Sequence, residues 1–227
     1  SMNSAKQIII PAGERREWIL INDPSVDWHI VQEAGSSLLL HIIALPDLKD
    51  TANAQVVNIT VEHVAKDCRT EIFGMGLLGG EQRCDITTKV LHTVGGGYSS
   101  QLIKMVLGGT SKASFKGELK IMPDAQHVEA YQTNRNILLS RHAEMITEPQ
   151  LEIYADDVKC SHGATIGRLN EEEQFYMRSR GISLEDAKVL QMISFVAPVL
   201  ENIPDESQRE VLAAQLEESI RNIVKNM

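Results

Sequence analysis

The sequence predicts a mainly β fold that is followed by a helical region at its C-terminal end. Three observations support this class. Short segments rich in apolar and β-branched residues recur through the first three quarters of the chain, and glycine pairs or triplets separate several of them. Apolar residues at sustained helical spacing occur only after Asn170. We therefore expect a β region over residues 7–167 and a helical region over residues 168–227.

The predicted strands begin roughly 9 to 18 residues apart, and no helical pattern lies between them. This spacing argues against a fold in which strands and helices alternate. The strands are Ile8–Ile10, Trp18–Ile21, Trp28–Val31, Leu38–Leu45, Val56–Val64, Thr70–Leu78, Ile86–His92, Gln101–Leu107, Ala113–Met122, His127–Gln132, Asn136–Leu139 and Leu151–Ala155.

Two architectures fit such a series of strands: an antiparallel sandwich, or a solenoid in which each strand stacks on its equivalent in the next coil. No regular internal repeat is evident in the sequence, which weighs slightly against a solenoid. The runs Gly79-Gly80, Gly95-Gly96-Gly97 and Gly108-Gly109 predict corners of the chain, where positive φ is often needed. Such corners suit either architecture, so the residue pattern alone leaves both open.

Helix-start signals mark the C-terminal region. Asn170 followed by Glu173, and Ser183 followed by Asp186, have the spacing of N-caps. Pro198 predicts a kink or a break in the second helix. Apolar residues recur at helical spacing at Val189, Met192, Ile193, Val196 and Leu200 and, after Ile203-Pro204-Asp205, at Val211, Leu212, Leu216, Ile220, Ile223 and Val224. We expect these two stretches to form an antiparallel hairpin.

Composition excludes several classes of function. A formal net charge of −9 and an aromatic content of 4% argue against nucleic-acid binding, which needs basic and stacking surfaces. The apolar runs are far shorter than the roughly 20 residues that span a bilayer, so we expect no membrane segment. The chain has three cysteines, an odd number, and no signal-peptide pattern. Reduced thiols and a cytoplasmic protein are the simplest interpretation.

The segment between the last predicted strand and the first helix contains the most informative residues. It reads Lys159-Cys160-Ser161-His162-Gly163-Ala164-Thr165, and its cysteine and histidine are the only close pair of that kind in the chain. If this segment is extended, Cys160 and His162 lie on one face and can share a metal or a cluster edge. A closed site needs about four ligands, so the other ligands have to come from elsewhere.

The stretch Leu151–Ile182, which contains ADDVKCSHGAT, a short polar helix and Ser179-Arg180-Gly181-Ile182, resembles the C-terminal part of SufD proteins in the SufB/SufD family. That family supplies scaffold proteins for iron–sulfur cluster assembly in the Suf system. The resemblance extends upstream through Gln132–Leu139 and, more loosely, Phe115-Lys116-Gly117, and is diffuse before about Ala113. The family carries a helical region ahead of its core, whereas this sequence has strand character from Ile8 onward.

The resemblance has consequences for fold and function. It implies a right-handed parallel β-helix rather than a sandwich. It also implies a SufB-like partner subunit that pairs through the β-helices, and a SufC-like ATPase that docks on the C-terminal helices. Cys160 and His162 then supply part of an iron–sulfur cluster site at the interface between the subunits. The cluster is expected to be transient, shared with the partner subunit and absent from the isolated chain. Without its partner, the chain can form a homodimer.

The helical region carries an acidic excess. From Asn170 to Met227 there are 11 acidic residues against 6 lysines and arginines, a net charge of −5. By itself this charge indicates a solvated face. The resemblance favours a docking surface.

The remaining candidates for chemistry are weaker. Cys68, Cys84 and His127 are single residues of types that usually fill cores or make structural hydrogen bonds. Asp156 and Asp157 suggest a carbohydrate-active β-helix, but neighbouring strand residues point to opposite faces, whereas glycoside hydrolysis needs two converging carboxylates. The run Gly108-Gly109-Thr110-Ser111-Lys112 places its lysine after the hydroxyls, unlike a P-loop. We therefore expect a non-enzymatic scaffold, with a β-solenoid interaction module that has no cluster role as the alternative.

Overall fold

The computed structural model describes residues 4–45, 49–50 and 52–227. Twelve strands come first and three helices follow. The strands are β1 Lys6–Ile10, β2 Arg15–Ile21, β3 Ser25–Gln32, β4 Ser37–Ala44, β5 Ala54–His63, β6 Arg69–Leu78, β7 Arg83–His92, β8 Tyr98–Leu107, β9 Lys112–Ile121, β10 Val128–Leu138, β11 Glu144–Ile153 and β12 Val158–Gly167. The helices are α1 Glu171–Ser179, α2 Leu184–Leu200 and α3 Glu206–Lys225.

The strands form two parallel sheets. The odd-numbered strands make sheet A in the order β1-β3-β5-β7-β9-β11, and the even-numbered strands make sheet B in the order β12-β10-β8-β6-β4-β2. The chain thus alternates between the sheets and winds a β-solenoid of about five turns. The predicted parallel β-helix is confirmed, and the antiparallel sandwich is excluded because the strand pairs are parallel.

The solenoid has a repeat that the sequence hides. Trp28, Ile59, Thr88, Gly117 and Pro149 are successive partners along sheet A, so the coils repeat after 31, 29, 29 and 32 residues. These partners share neither residue type nor a constant spacing, which is why no period is visible in the sequence. The expected glycine corners are present: Gly80 has φ 54° and Gly109 has φ 58°.

Alternation along each strand fills the interior of the coils. In β7, for example, every second side chain from Cys84 to His92 is buried, while the side chains between them reach the outside. Phe115 is among the largest side chains of this core and is fully buried. The outer side of sheet A faces solvent, and the helices cover the outer side of sheet B.

Two sequence predictions about strands are wrong. His127–Gln132 and Asn136–Leu139 are parts of one strand, β10, because its interior asparagines Asn134 and Asn136 hydrogen-bond to backbone carbonyls of the neighbouring strands. The sequence predicts no strand between Ala155 and the first helix, yet β12 runs through this segment. Ten residues of β12 pair in register with β10, and this ladder overrides the weak alternation of the segment.

The helical caps follow the prediction. The side chains of Asn170 and Ser183 accept hydrogen bonds from the backbone amides of Glu173 and Asp186, at 3.0 and 3.1 Å. Arg221 near the end of α3 forms an ion pair with Asp186 near the start of α2, at 3.2 Å, so the two helices are antiparallel as expected.

Pro198 does not break α2, which continues to Leu200. Pro198 removes the hydrogen bond that its own N–H would donate, but only two residues of the helix follow it. In the preceding turn, the ammonium group of Lys104 on β8 donates to the carbonyl of Phe195 at 2.8 Å and lies 4.6 Å from the centre of its ring. Helices α2 and α3 pack on sheet B in a second apolar cluster that includes Met75, Val106, Val196 and Leu216.

Candidate functional site

Cys160 and His162 lie on β12, the last strand of sheet B. In the ladder with β10, Cys160 pairs with Ala130 and His162 pairs with Gln132. Both partners on β10 are buried in the interior of the solenoid. The structure therefore places Cys160 and His162 on one face of β12, the face that continues the interior of the coils.

The two side chains differ in exposure because the solenoid ends here. Cys160 is half-buried and packs against the main core, whereas His162 is exposed. β12 is the edge strand of the described sheet B, and β11 is the corresponding edge of sheet A. An inward-facing side chain on such an edge has a neighbouring coil on one side only, which leaves its other side open.

The electrostatics of the thiol matter for metal binding. Partial burial raises the pKa of the Cys160 thiol, and a hydrogen bond with the backbone of Ala130 lowers it by a smaller amount. The thiol is therefore mostly protonated at neutral pH in the isolated chain. Binding of a metal or cluster requires the thiolate, so a positive partner has to displace the proton.

Within the described residues, no group of three or more histidine, cysteine, aspartate or glutamate side chains is arranged to hold a metal ion. Cys160 and His162 alone supply two ligands, about half of what a cluster or a tetrahedral ion needs. The two side chains fit one edge of such a site and no more.

The other two cysteines belong to the core. None of the three cysteines forms a disulfide. Cys84 is fully buried, and burial raises the pKa of its thiol to about 12. Cys68 is 1% exposed and its thiol lies within 3.3 Å of the carbonyl of Glu33 and 3.4 Å of that of Ala65. Both are small core residues with no access to solvent.

The acidic pair lies elsewhere than the sequence suggested. Strand β11 ends at Ile153, so Asp156 and Asp157 occupy the corner that leads into β12. The carboxylate of Asp157 lies 3.0 Å from Nδ1 of His127, and both side chains are largely exposed. His127 is thus a corner residue rather than a core residue, with φ 60°.

A buried polar network on the inside of the coils could not be predicted from the sequence. His63 and His92 are both fully buried, and in sheet A they are direct ladder partners. Their Nε2 atoms hydrogen-bond to Thr70 at 2.6 Å and Ser99 at 2.8 Å. His63 and His92 end their strands at equivalent points of consecutive coils, and this equivalence is the signal for the network. It can be recognised only when the coil repeat is known.

Apolar side chains are exposed around the last coil and the first helix. On the coil, Ile146, Tyr154 and Ile166 are 52%, 56% and 48% exposed. On α1, Phe175 is 75% and Tyr176 is 58% exposed. We treat these exposed side chains as candidate contacts with a partner protein. None of the helices in the described part of the chain is both long and apolar enough to cross a membrane.

Comparison with known proteins identifies the family. A family model described as "SUF system FeS cluster assembly, SufBD core domain" matches residues 32–195. The iron-sulfur cluster assembly protein SufD of Escherichia coli is 41% identical over 133 residues, which are 59% of this chain and 31% of that protein. SufD of Bacillus subtilis is 30% identical over 173 residues, or 76% of this chain and 38% of that protein.

A SufBD family protein of Synechocystis is 37% identical over 147 residues, which are 65% of this chain and 32% of that protein. The chain therefore spans about a third of the length of these three relatives. The family model covers more than half of the chain, including most of the β-helix and both candidate residues, Cys160 and His162. The chain belongs to the SufBD core family of the SUF iron–sulfur cluster assembly system.

Proposed function

We propose that this chain is a non-enzymatic scaffold that handles an iron–sulfur cluster as cargo at the open end of its β-helix. Cys160 and His162 supply part of the site, and a SufB-like subunit that pairs with the last coil supplies the remaining ligands. The observation that carries this proposal is the position of both residues, side by side on the inner face of an edge strand.

The shortage of ligands favours a shared site over a private one. Two ligands cannot retain a cluster against solvent, whereas two from each of two subunits reach the usual number of four. The exposed apolar side chains of the last coil, Ile146, Tyr154 and Ile166, fit a surface that a partner covers. A site of this kind releases its cluster when the subunits separate, which suits a scaffold.

The helical region is the second functional surface in this proposal, as the docking site of a SufC-like ATPase. Helix α1 begins with the acidic residues Glu171, Glu172 and Glu173 and exposes Phe175 and Tyr176 beside them. Aromatic side chains within a charged rim are typical of the centre of a protein interface. In this proposal the ATPase hydrolyses the nucleotide, and this chain only positions the ATPase.

The cluster proposal is tested by co-expression with SufB-like and SufC-like subunits of the same organism. Iron and acid-labile sulfide are measured in the purified complex for the wild-type chain and for His162→Ala, Cys160→Ser and the double variant. Ser161→Ala is the matched control, because Ser161 lies between the two residues and points to the opposite face of β12.

We expect iron and sulfide in the wild-type complex, a clear decrease in each single variant, with His162→Ala the larger, and almost none in the double variant. The control should equal wild type, and the chain alone should contain little of either. A double variant that assembles clusters at the wild-type level would make the pair structural. A wild-type complex without iron or sulfide would support an interaction module with no cluster role.

A further inference from the structure

The free edge of sheet A carries a row of three glutamates. Glu144, Glu148 and Glu152 lie on the outward face of β11, four residues apart, and each forms an ion pair with a lysine on β9. The pairs are Lys112–Glu144 at 3.7 Å, Lys116–Glu148 at 3.8 Å and Lys120–Glu152 at 3.6 Å. We refer to these three glutamates as the acidic row.

The glutamates of the acidic row have these ion-pair partners on one side only. Its side chains are 63%, 49% and 45% exposed, and their lysine partners all lie on the β9 side. β11 is the edge strand of the described sheet A, so the opposite side of each carboxylate faces the position that an added strand would take. Charge alternates from the basic row on β9 to the acidic row on β11. A third strand continues this alternation only if its outward row is basic.

The backbone of β11 cannot form a complete set of hydrogen bonds with an added strand. The backbone amides of Glu144 and Tyr154 donate to the carbonyls of Ser111 and Ile121, so the amides of even-numbered residues in β11 point toward β9. The backbone amides of odd-numbered residues therefore point toward the free edge. One of these residues is Pro149, which has no N–H to donate. With one donor missing near the centre of β11, side-chain pairs weigh more in the choice of partner.

A second copy of this chain is a poor partner when a two-fold pairing places the acidic rows of the two chains opposite each other. In an antiparallel two-fold pairing centred on Glu148, that residue faces its own copy and Glu144 faces Glu152. The even-numbered positions do not exchange hydrogen bonds with the added strand, so their Cα atoms approach to about 4.5 Å and the side chains lie close. All three glutamates would then oppose glutamates, an arrangement that destabilises a strand pair.

We propose that the acidic row selects the partner of the last coil: a subunit whose edge strand presents basic side chains at every fourth residue, as β9 does with Lys112, Lys116 and Lys120. This inference rests on the proposed pairing with a SufB-like subunit and adds the feature that distinguishes that subunit from a second copy of this chain. Opposite charges at such an edge also speed association, and salt screens their effect.

The first test measures the affinity of the full chain for the SufB-like subunit at about 50 mM and about 500 mM salt. The test variant is Glu144→Lys/Glu148→Lys/Glu152→Lys, and Glu144→Gln/Glu148→Gln/Glu152→Gln separates loss of attraction from repulsion. The matched control, Glu81→Lys/Glu210→Lys/Glu218→Lys, changes net charge by the same amount at exposed glutamates away from the edge.

We expect the lysine variant to bind at least about tenfold more weakly at low salt, the glutamine variant to lie between it and wild type, and the control to bind within about twofold of wild type. Melting temperatures identify any variant that fails to fold, and the glutamine variant keeps the test valid in that case. Binding of both edge variants within twofold of wild type at low salt would overturn the inference and leave the proposed pairing intact.

A second test does not depend on the SufB-like subunit. Wild-type chain is mixed at low salt with the Glu→Lys edge variant, and native mass spectrometry counts mixed dimers. Because the two rows now have opposite charge, we expect mixed dimers in excess of either homodimer, and their loss at about 500 mM salt. If the wild-type chain does not bind the SufB-like subunit, the proposed pairing fails. Failure of the mixed dimer to exceed the homodimers overturns the charge rule itself.

Discussion

The imidazole rings of His63 and His92 meet edge to face inside the β-helix, with their centres 4.5 Å apart. The amide nitrogen of Gln32 donates to the carbonyls of Ser36 and Arg69, so its oxygen accepts the proton of Thr70. Thr70 must then accept from Nε2 of His63, which leaves Nδ1 of His63 without a proton. Neither Nδ1 atom of the histidine pair has a hydrogen-bond partner among the described residues.

This pair should make the fold sensitive to acid. Burial lowers the pKa of His92 from 6.5 to about 4, and burial together with the neighbouring imidazole lowers that of His63 to about 3. Below pH 6.5 the unfolded chain binds protons that the folded chain excludes, so the contribution to stability is full above pH 6.5 and is lost as pH falls toward the folded pKa values of about 4 for His92 and about 3 for His63. At pH 5 the loss is about 2 kcal/mol for each imidazole.

Urea unfolding at pH 7 and pH 5 checks this prediction on wild type and on His63→Gln/His92→Gln. The double variant should be less stable at pH 7, since it loses packing. The gap in unfolding free energy between the two proteins should close by about 4 kcal/mol at pH 5, because the variant has no buried imidazoles to protonate. An equal loss of stability in both proteins would assign the acid sensitivity to other groups.

Gly97 is the residue that makes room for this pair. A Cβ atom on Gly97 would lie 2.9 Å from Nδ1 of His63 and 3.0 Å from Nδ1 of His92. Both rings are fully buried and cannot swing into solvent, so Gly97→Ala should lower the free energy of unfolding by about 1 to 3 kcal/mol. Gly163→Ala on β12 is the control, because a Cβ there meets nothing within 4 Å. Thermal unfolding of the two variants compares them, and equal melting temperatures would contradict the prediction.

Local features of this chain could be predicted from its sequence, whereas features that depend on stacking between coils could not. The caps at Asn170 and Ser183 are correct because an N-cap is decided within four residues. Strand β12 could not be predicted because most of its residues are small or polar and most of them are exposed at the edge of the sheet. Only its ladder with β10 makes it a strand.

The candidate site divides in the same way. The common face of Cys160 and His162 follows from a spacing of two residues in an extended chain. Their position at the end of a β-helix required the resemblance to a known family. The pair His63 and His92 lies 29 residues apart, and a single histidine at the end of a strand carries no signal until the register of the coils is known.

The aromatic side chains of α1 should mediate the proposed docking of a SufC-like ATPase. Deletion of residues 183–227 is not a clean test of docking, because α2 and α3 share an apolar cluster with sheet B and their loss would expose Met75 and Val106. Phe175→Asp/Tyr176→Asp is a cleaner change, because both side chains are exposed and their loss should leave the melting temperature unaltered.

We expect this double variant to lose co-purification with a SufC-like ATPase, with an affinity decrease of at least about tenfold. Ile9→Asp is the control, since Ile9 is a comparably exposed apolar residue, at 63%, on the strand at the opposite edge of sheet A. Wild-type affinity of the α1 variant would move the docking surface away from this helix.

The accessibility of Cys160 provides a direct measure of partner binding at the last coil. Cys68 and Cys84 are buried, whereas Cys160 is half-buried on an edge strand, so the folded chain should react with iodoacetamide at one thiol and the unfolded chain at three. The raised pKa of the Cys160 thiol keeps labelling slow at pH 7, and the rate should increase steadily from pH 7 to pH 9 as the thiolate forms.

Addition of the SufB-like subunit should suppress this labelling, because the proposed interface covers the inner face of β12. Mass spectrometry of the alkylated protein locates the label, and Cys160→Ser should abolish it in the folded state. Unchanged labelling in a complex whose formation is verified by its mass would place the partner on another surface.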